Sequence, residues 1–121
     1  MESILTSIKK LLGITEEYEH FDMDIIMHIN SVFMILNQLG VGPEECFSIK
    51  DKNSKWLYFT SAKHVEAVKS YMYLKVRLLF DPPASGTVME SMNRMIDELE
   101  WRLNNAADTK PTVLDGDGVR Y

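Results

Sequence analysis

Two interruptions constrain this chain more than any other feature. Gly40-Val41-Gly42-Pro43 and Asp81-Pro82-Pro83 are stretches that a helix does not cross. Proline has no N–H to donate and turns the residue before it away from the helical region, and glycine gives up the most backbone freedom on ordering. Each break follows a long segment whose apolar residues recur at three- and four-residue spacing. Before the first, Ile25, Ile29, Val32, Leu36 and Leu39 form one stripe, widened by Ile26, Met27, Phe33 and Met34. The spacing predicts a helix over 22–39, with Asp22 at the N-cap and Asp24 near the positive end of the dipole. A helix apolar over so much of its circumference is central in its domain or covered by a partner. Before the second break, Val65, Val68, Met72, Val76 and Leu79, with Tyr71, Leu74 and Leu78 beside them, predict a helix over 62–80 capped by Thr60 or Ser61.

Two further helices flank these. Ile4, Leu5, Ile8, Leu11 and Leu12 place a helix at 2–12, and Gly13 stands where helices stop in a left-handed turn. Met89, Met92, Ile96, Leu99 and Leu103, with Val88 and Met95 alongside, place another at 86–104, and Thr87 and Glu90 have capping-box spacing. Residues 44–60 are less regular. Phe47-Ser48-Ile49 and Trp56-Leu57-Tyr58-Phe59 flank Asp51-Lys52-Asn53-Ser54, which fits a hairpin or an irregular aromatic loop. A loop with a short helical turn is the expectation. Residues 105–121 hold Pro111, Gly116, Gly118 and three aspartates with few apolar side chains, the composition of a flexible tail. The fold class expected is all-α: a small bundle of about four helices, an irregular aromatic loop, a helical domain over 1–104 and a C-terminal tail over 105–121.

Composition narrows the function classes. A chain of 121 residues with 45% hydrophobic residues is one domain able to bury a core without staples. Its single cysteine, Cys46, excludes an internal disulfide and a cysteine-built metal site and suits a reducing compartment. The first residues place Lys9 and Lys10 within an amphipathic pattern and not ahead of an apolar block, unlike a signal peptide. No apolar run reaches the ~18–20 residues of a membrane span, so synthesis in the cytosol without a membrane partner is expected. The net charge of −5 is opposite to that of a free nucleic-acid binder. It is unevenly distributed: 63–80 carry Lys63, Lys69, Lys75 and Arg77 against Glu66, whereas 81–104 carry Asp81, Glu90, Asp97, Glu98 and Glu100 against Arg94 and Arg102. The simplest account is two solvated faces; the alternative is pairing inside the fold or between copies.

Candidate chemistry is sparse. His20, His28 and His64 are not spaced to place two zinc ligands on one helical face. Glu16, Glu17, Glu19, Asp22 and Asp24 favour a helix dipole and solvate a loop. Asp115-Gly116-Asp117-Gly118 resembles part of a calcium loop without its later glutamate. No glycine-rich phosphate loop, serine elbow or dinucleotide fingerprint is present, and Cys46 has no histidine at a motif distance. No catalytic residue, metal or cofactor is therefore expected. The eight methionines read as adaptable core, as does Trp101. Trp56, Tyr58 and Phe59 in the loop are the better interface candidates, because aromatic anchors dominate binding hot spots.

Three stretches look like one family. They are Asp22-Met23-Asp24-Ile25-Ile26-Met27-His28-Ile29-Asn30-Ser31-Val32-Phe33 continuing to Gln38-Leu39-Gly40-Val41-Gly42-Pro43, then Val68-Lys69-Ser70-Tyr71-Met72-Tyr73-Leu74-Lys75-Val76-Arg77-Leu78-Leu79-Phe80-Asp81-Pro82-Pro83, and Met92-Asn93 through Glu100-Trp101-Arg102-Leu103-Asn104. Together they resemble the head-tail connector (adaptor, or head-completion) proteins of tailed phages and prophages of Gram-positive bacteria. Residues 44–66 and the tail match less well, and the matching strings contain no catalytic signature.

The resemblance implies a helical bundle that assembles as a ring, usually a dodecamer, beneath the portal vertex. Such a ring extends the DNA channel and offers a platform to the next head-closure, stopper or tail protein. The implied partners are the portal protein, that downstream component, further copies of the chain, and passing DNA without specific binding. The implied location is the head-tail interface of the virion, reached from the host cytoplasm during assembly. A terminal segment that orders against the portal would place Val113, Leu114 and Tyr121 at that contact. Opposite charge on the last two helices, with Lys69, Lys75 and Arg77 on the basic one, would suit the unlike faces a ring requires. A channel that lets DNA pass should avoid tight phosphate contacts, so its lumen is expected to be weakly charged or acidic. The rival is a DNA-binding regulator or packaging accessory that uses 62–80 as a basic recognition helix. The long interval between 39 and 62 does not fit a helix-turn-helix. A small enzyme is a third class, for which the sequence offers no polar set.

Overall fold

The computed structural model describes residues 2–108. Among them the chain forms α1 (Ile4–Leu11), α2 (Asp22–Gln38), α3 (Trp56–Phe59), α4 (Val65–Phe80) and α5 (Gly86–Asp108). Extended pairing among the described residues is confined to an antiparallel bridge between Ser3 and Lys55, so the all-α class holds. The single turn of α3 is the short helical turn expected within the aromatic loop.

Local chemistry sets the ends of the helices, and it differs from the sequence expectation at four of them. Helix α1 begins where Ser3 Oγ accepts the Thr6 N–H at 3.2 Å and stops at Gly13, whose φ of 84° is left-handed. In α2 the cap position belongs to Phe21 and Asp22 is the first helical residue; its carboxylate faces Lys9 of α1 instead of capping. Helix α4 starts at Val65 and not at 62, because Thr60 is extended where α3 closes and Ser61–His64 form a turn, with the His64 N–H on Ser61 O at 3.1 Å. Ser85, not Thr87, caps α5, its Oγ accepting the Val88 N–H at 3.3 Å. Helix α5 continues past the expected end at Asn104 to Asp108, since no proline or glycine interrupts it before Pro111. The rest of the expected tail, with Val113, Leu114 and Tyr121, lies outside the described residues.

Helix α4 is the hub: α2, α5 and α1 all pack on it, and α1 also touches α2. Phe80 at the end of α4 lies 5.3 Å from Phe21 at the start of α2, ring centre to ring centre. At the far end, Asn104 Nδ2 of α5 donates to Leu39 O at the end of α2, at 3.3 Å. Helices α2 and α5 therefore run parallel to each other and antiparallel to α4. The core they enclose includes Ile25, Ile29, Val32, Phe33, Leu36, Val68, Tyr71, Met72 and Val76, with Ile4 and Ile8 from α1 and Ile96 and Leu103 from α5.

The long connection from α2 to α4 is held by specific bonds. Asn30 Nδ2 donates to Ile49 O at 3.0 Å, and the Ile49 N–H donates back to Asn30 Oδ1 at 2.8 Å. This side-chain amide does what a neighbouring strand would do, so the backbone polar groups there are satisfied. Phe33, Phe47 and Phe59 meet with ring centres 4.6–5.3 Å apart. Gly42, at φ 89°, lies so close to Phe59 that a Cβ would overlap its ring.

Lys9 shows how α1 joins the rest. It is 2% exposed, and its Nζ reaches Asp22 Oδ1 at 2.8 Å, Tyr18 O at 2.8 Å and Glu16 O at 3.0 Å. One buried ammonium thus gathers the 14–21 loop and the start of α2 around the end of α1.

Candidate functional site

Among the described residues no group of histidine, cysteine and carboxylate side chains has metal-binding geometry, and no helix is long and apolar enough to cross a membrane. The hollow between Val41, Gly42, His64 and Leu103 is about 50 Å³, and the groove beside Trp56, Leu57, Val65 and Lys69 about 200 Å³. Both fall short of the ~300–1,000 Å³ of a small-molecule site. The wider depression on α5, about 550 Å³ between Ser91, Arg94, Met95 and Glu98, is open helix surface. What the chain does offer is helix faces.

The outer face of α2 is the most unusual. At about 100° per residue, Ile25, Ile29, Val32 and Leu36 form its buried side, and Met23, Met27 and Met34 lie opposite, exposed by 78%, 59% and 57%. Asn30, Ser31 and Gln38 fill the gaps, so no charged side chain falls on this face between Met27 and Gln38. Both sides carry large apolar residues, yet the neighbouring helices cover only the isoleucine side, and the loop reaches the other at Asn30 alone among these residues, through Ile49. The reading of the methionines as core is thereby corrected: Met72 and Met92 are buried, but Met23, Met27, Met34 and Met95 are surface residues.

Helix α5 differs. Met92, Ile96 and Leu103 bury its inner face, and its outer face carries Glu90, Arg94, Asp97 and Glu98 around Trp101, which is 69% exposed. Trp101 does not pack in the core as expected, because it stands on the side of α5 turned away from α4. Arg102 donates to Glu98 Oε2 at 2.8 Å, so part of the charge here is paired within the helix.

The loop aromatics divide. Trp56 and Phe59, expected to face a partner, are 1% and 5% exposed, since the single turn of α3 points both inward. Trp56 Nε1 donates to Ser7 Oγ at 2.7 Å, and Phe59 packs against Phe33 with its ring tilted. Tyr58, 60% exposed, and Leu57 remain at the surface.

The basic residues of α4 do not form one stripe. Lys69 pairs with Glu2 at 2.5 Å, Arg77 donates to Tyr73 Oη at 3.1 Å and to Asp81 O at 3.3 Å, and Lys75 lies on a different side of the helix by the 100° rotation per residue. Three helices pack on α4, and Lys69 and Arg77 are already engaged with Glu2, Tyr73 and Asp81. On α4's inner side, the buried Tyr71 hydroxyl donates to Glu100 Oε2 of α5 at 2.7 Å. Burial, that bond and the neighbouring carboxylate all push the phenol's pKa above its ordinary value.

Comparison with known proteins agrees with a surface built for protein contact. A family model described as phage connector protein matches residues 4–110, which takes in all five helices. Neither the curated proteins nor the solved structures compared with the chain yield a match.

Proposed function

This chain belongs to the phage connector protein family, and on that premise we propose that it is one subunit of a ring joining the portal vertex to the next head-closure, stopper or tail component and extending the DNA channel. The family is one of structural proteins of the virion. The observation that carries the finer reading is the outer face of α2, with three exposed methionines and no charged side chain between Met27 and Gln38. A surface of that kind is maintained for a protein partner and not for water. Methionine suits it, because an unbranched, polarizable side chain adapts to whatever packs on it.

In this reading Tyr58 and Leu57 belong to a second contact region, and Val113, Leu114 and Tyr121 meet the portal. A segment that orders on binding pays its ordering entropy at that moment. Lys69, Lys75 and Arg77 make no shared cationic wall, which suits a channel that must not retard phosphates. Assembly takes place in the host cytoplasm, and the working location is the head-tail interface.

The test is capture by portal-bearing, tailless capsids. The full chain is expected to co-sediment with them, and the chain ending at Asp108 is expected to bind less. That truncation leaves α5 whole. A full chain that stays in the supernatant overturns the connector reading; equal binding by both chains removes the portal role of 109–121.

A further inference from the structure

The outer faces of α2 and α5 are two separate exposed surfaces, each turned away from the α4 that both helices pack on. One is lined with methionine and carries no charge between Met27 and Gln38, with Asp24 at its N-terminal edge; the other presents a single exposed tryptophan within a charged surround. We propose that these two faces bind each other in neighbouring copies, with Trp101 of one copy seated between Met27 and Met34 of the next. This rests on the connector reading above and names the faces that reading leaves open.

Three observations support a second copy as the occupant. First, closed rings with one contact type need heterologous contacts, in which two unlike patches of a subunit meet, and this chain carries two such unlike faces. Second, the directions agree. Helices α2 and α5 run parallel within a subunit. Neighbours in a ring of about a dozen copies are rotated by only about 30°, so α5 of one copy arrives nearly parallel to α2 of the next, within the usual range of helix crossings.

Third, the charges fall into register. With Trp101 placed between Met27 and Met34, Arg94 lies seven residues back along α5, about 10 Å by helical rise. About the same distance back along the neighbour's α2 stands Asp24, the exposed carboxylate on the α2 surface beside the methionines. Arg94 and Asp24 therefore meet, and Trp101 meets sulfur and methyl groups, contacts that aromatic rings favour. Glu98 and Arg102, paired with each other, fall at the rim, where charge need not be desolvated.

Sedimentation velocity and tryptophan emission of the full chain test this together. Trp56 is buried and Trp101 exposed, so a blue shift on raising the concentration reports Trp101. Wild type is expected to form species larger than dimers with that shift. Trp101→Ala and the double variant Met27→Glu/Met34→Glu are each expected to associate at least about tenfold more weakly, with unchanged circular dichroism, since all three side chains are exposed. Mixed, the two variants retain one intact pair of faces and should form dimers and nothing larger. Arg94→Asp should weaken association, and adding Asp24→Arg should restore it.

A wild type that remains monomeric up to near-millimolar concentration overturns the assignment. So does association indifferent to both face variants, or a mixture that builds full-size species. Capsid capture by the wild type remains a separate measurement, so this pairing can fail while the connector reading stands.

Discussion

Trp56 Nε1 donates to Ser7 Oγ at 2.7 Å across 49 residues of sequence, and Ser7 Oγ in turn donates within α1 to Ser3 O at 2.7 Å and Ile4 O at 3.1 Å. Around this bond the N-terminal backbone pairs with the loop: the Ile4 N–H reaches Ser54 O at 3.0 Å and the Trp56 N–H reaches Glu2 O at 3.2 Å. A buried indole is thereby satisfied by the one small hydroxyl on the inner face of α1. Ser7→Ala leaves the indole N–H buried without an acceptor and is expected to cost about 1–3 kcal/mol. Ser7→Thr keeps the acceptor and should recover part of that. Urea unfolding of the variants, followed by the emission of Trp56, measures both.

Gly42 and Gly13 separate two causes of glycine dependence. Both have left-handed backbone, with φ 89° and 84°, but a Cβ at Gly13 meets nothing within 4 Å, whereas at Gly42 it overlaps the Phe59 ring. Gly13→Ala should cost only the backbone term, about 1–2 kcal/mol. Gly42→Ala should cost more, because Phe59 must move and with it the ring contacts to Phe33 and Phe47. Combining Gly42→Ala with Phe59→Leu should cost less than the sum of the two single changes, a coupling that a double-mutant cycle reads directly.

Much of this fold can be read from the chain. The breaks at 40–43 and 81–83 end α2 and α4 where proline and glycine require, and four of the five helices show in the spacing of their apolar residues. What escapes is which apolar residues face inward. Isoleucine and methionine count alike in a periodicity, so α2 reads as apolar all round. Its two sides differ in that Ile25, Ile29, Val32 and Leu36 fall on one, and Met23, Met27 and Met34, interspersed with Asn30, Ser31 and Gln38, on the other. Trp101 falls among Glu90, Arg94, Asp97 and Glu98 on a helical wheel, a signal that outweighs the general tendency of tryptophan to be buried. The inward turn of Trp56 and Phe59 was not legible, because it depends on a single helical turn docked against α1 and α2 by long-range bonds. Lys9 was not legible either: its partners come from a loop with no periodic pattern.

Lys9 gives a prediction in the opposite direction from ordinary surface charge. Exposed lysine pairs contribute little, but this ammonium is 2% exposed and satisfied by one carboxylate and two carbonyls. Lys9→Met removes the charge while nearly keeping the volume. It leaves Asp22, which is 24% exposed, without its cation, and the carbonyls of Glu16 and Tyr18 without their donor. Breaking a fully buried pair costs about 3–5 kcal/mol. With Asp22 partly in water, about 2–3 kcal/mol is expected, measured as a shift in denaturation midpoint at unchanged m-value. Amide exchange in 14–21 should accelerate more than in α4, because that loop is what Lys9 holds.

Tyr71 and Glu100 join α4 to α5 through one 2.7 Å bond, and the consequence appears at alkaline pH. Burial comes first among the causes that raise the phenol's pKa, followed by its bond to Glu100 and the charge of that carboxylate. A tyrosine in the unfolded chain ionises near pH ~10, before the folded one does, so above that pH the folded state holds more protons than the unfolded state. Stability from this group is therefore complete below pH ~10 and falls as pH rises from there toward the folded pKa. Tyr71→Phe should lose about 1–3 kcal/mol at neutral pH through the missing bond to a charged acceptor, and its stability should decline less steeply than that of wild type above pH 10. Chemical denaturation in steps from pH 7 to 11 measures the two slopes. Parallel curves would mean that the Tyr71 phenol is not held protonated by its place between the helices.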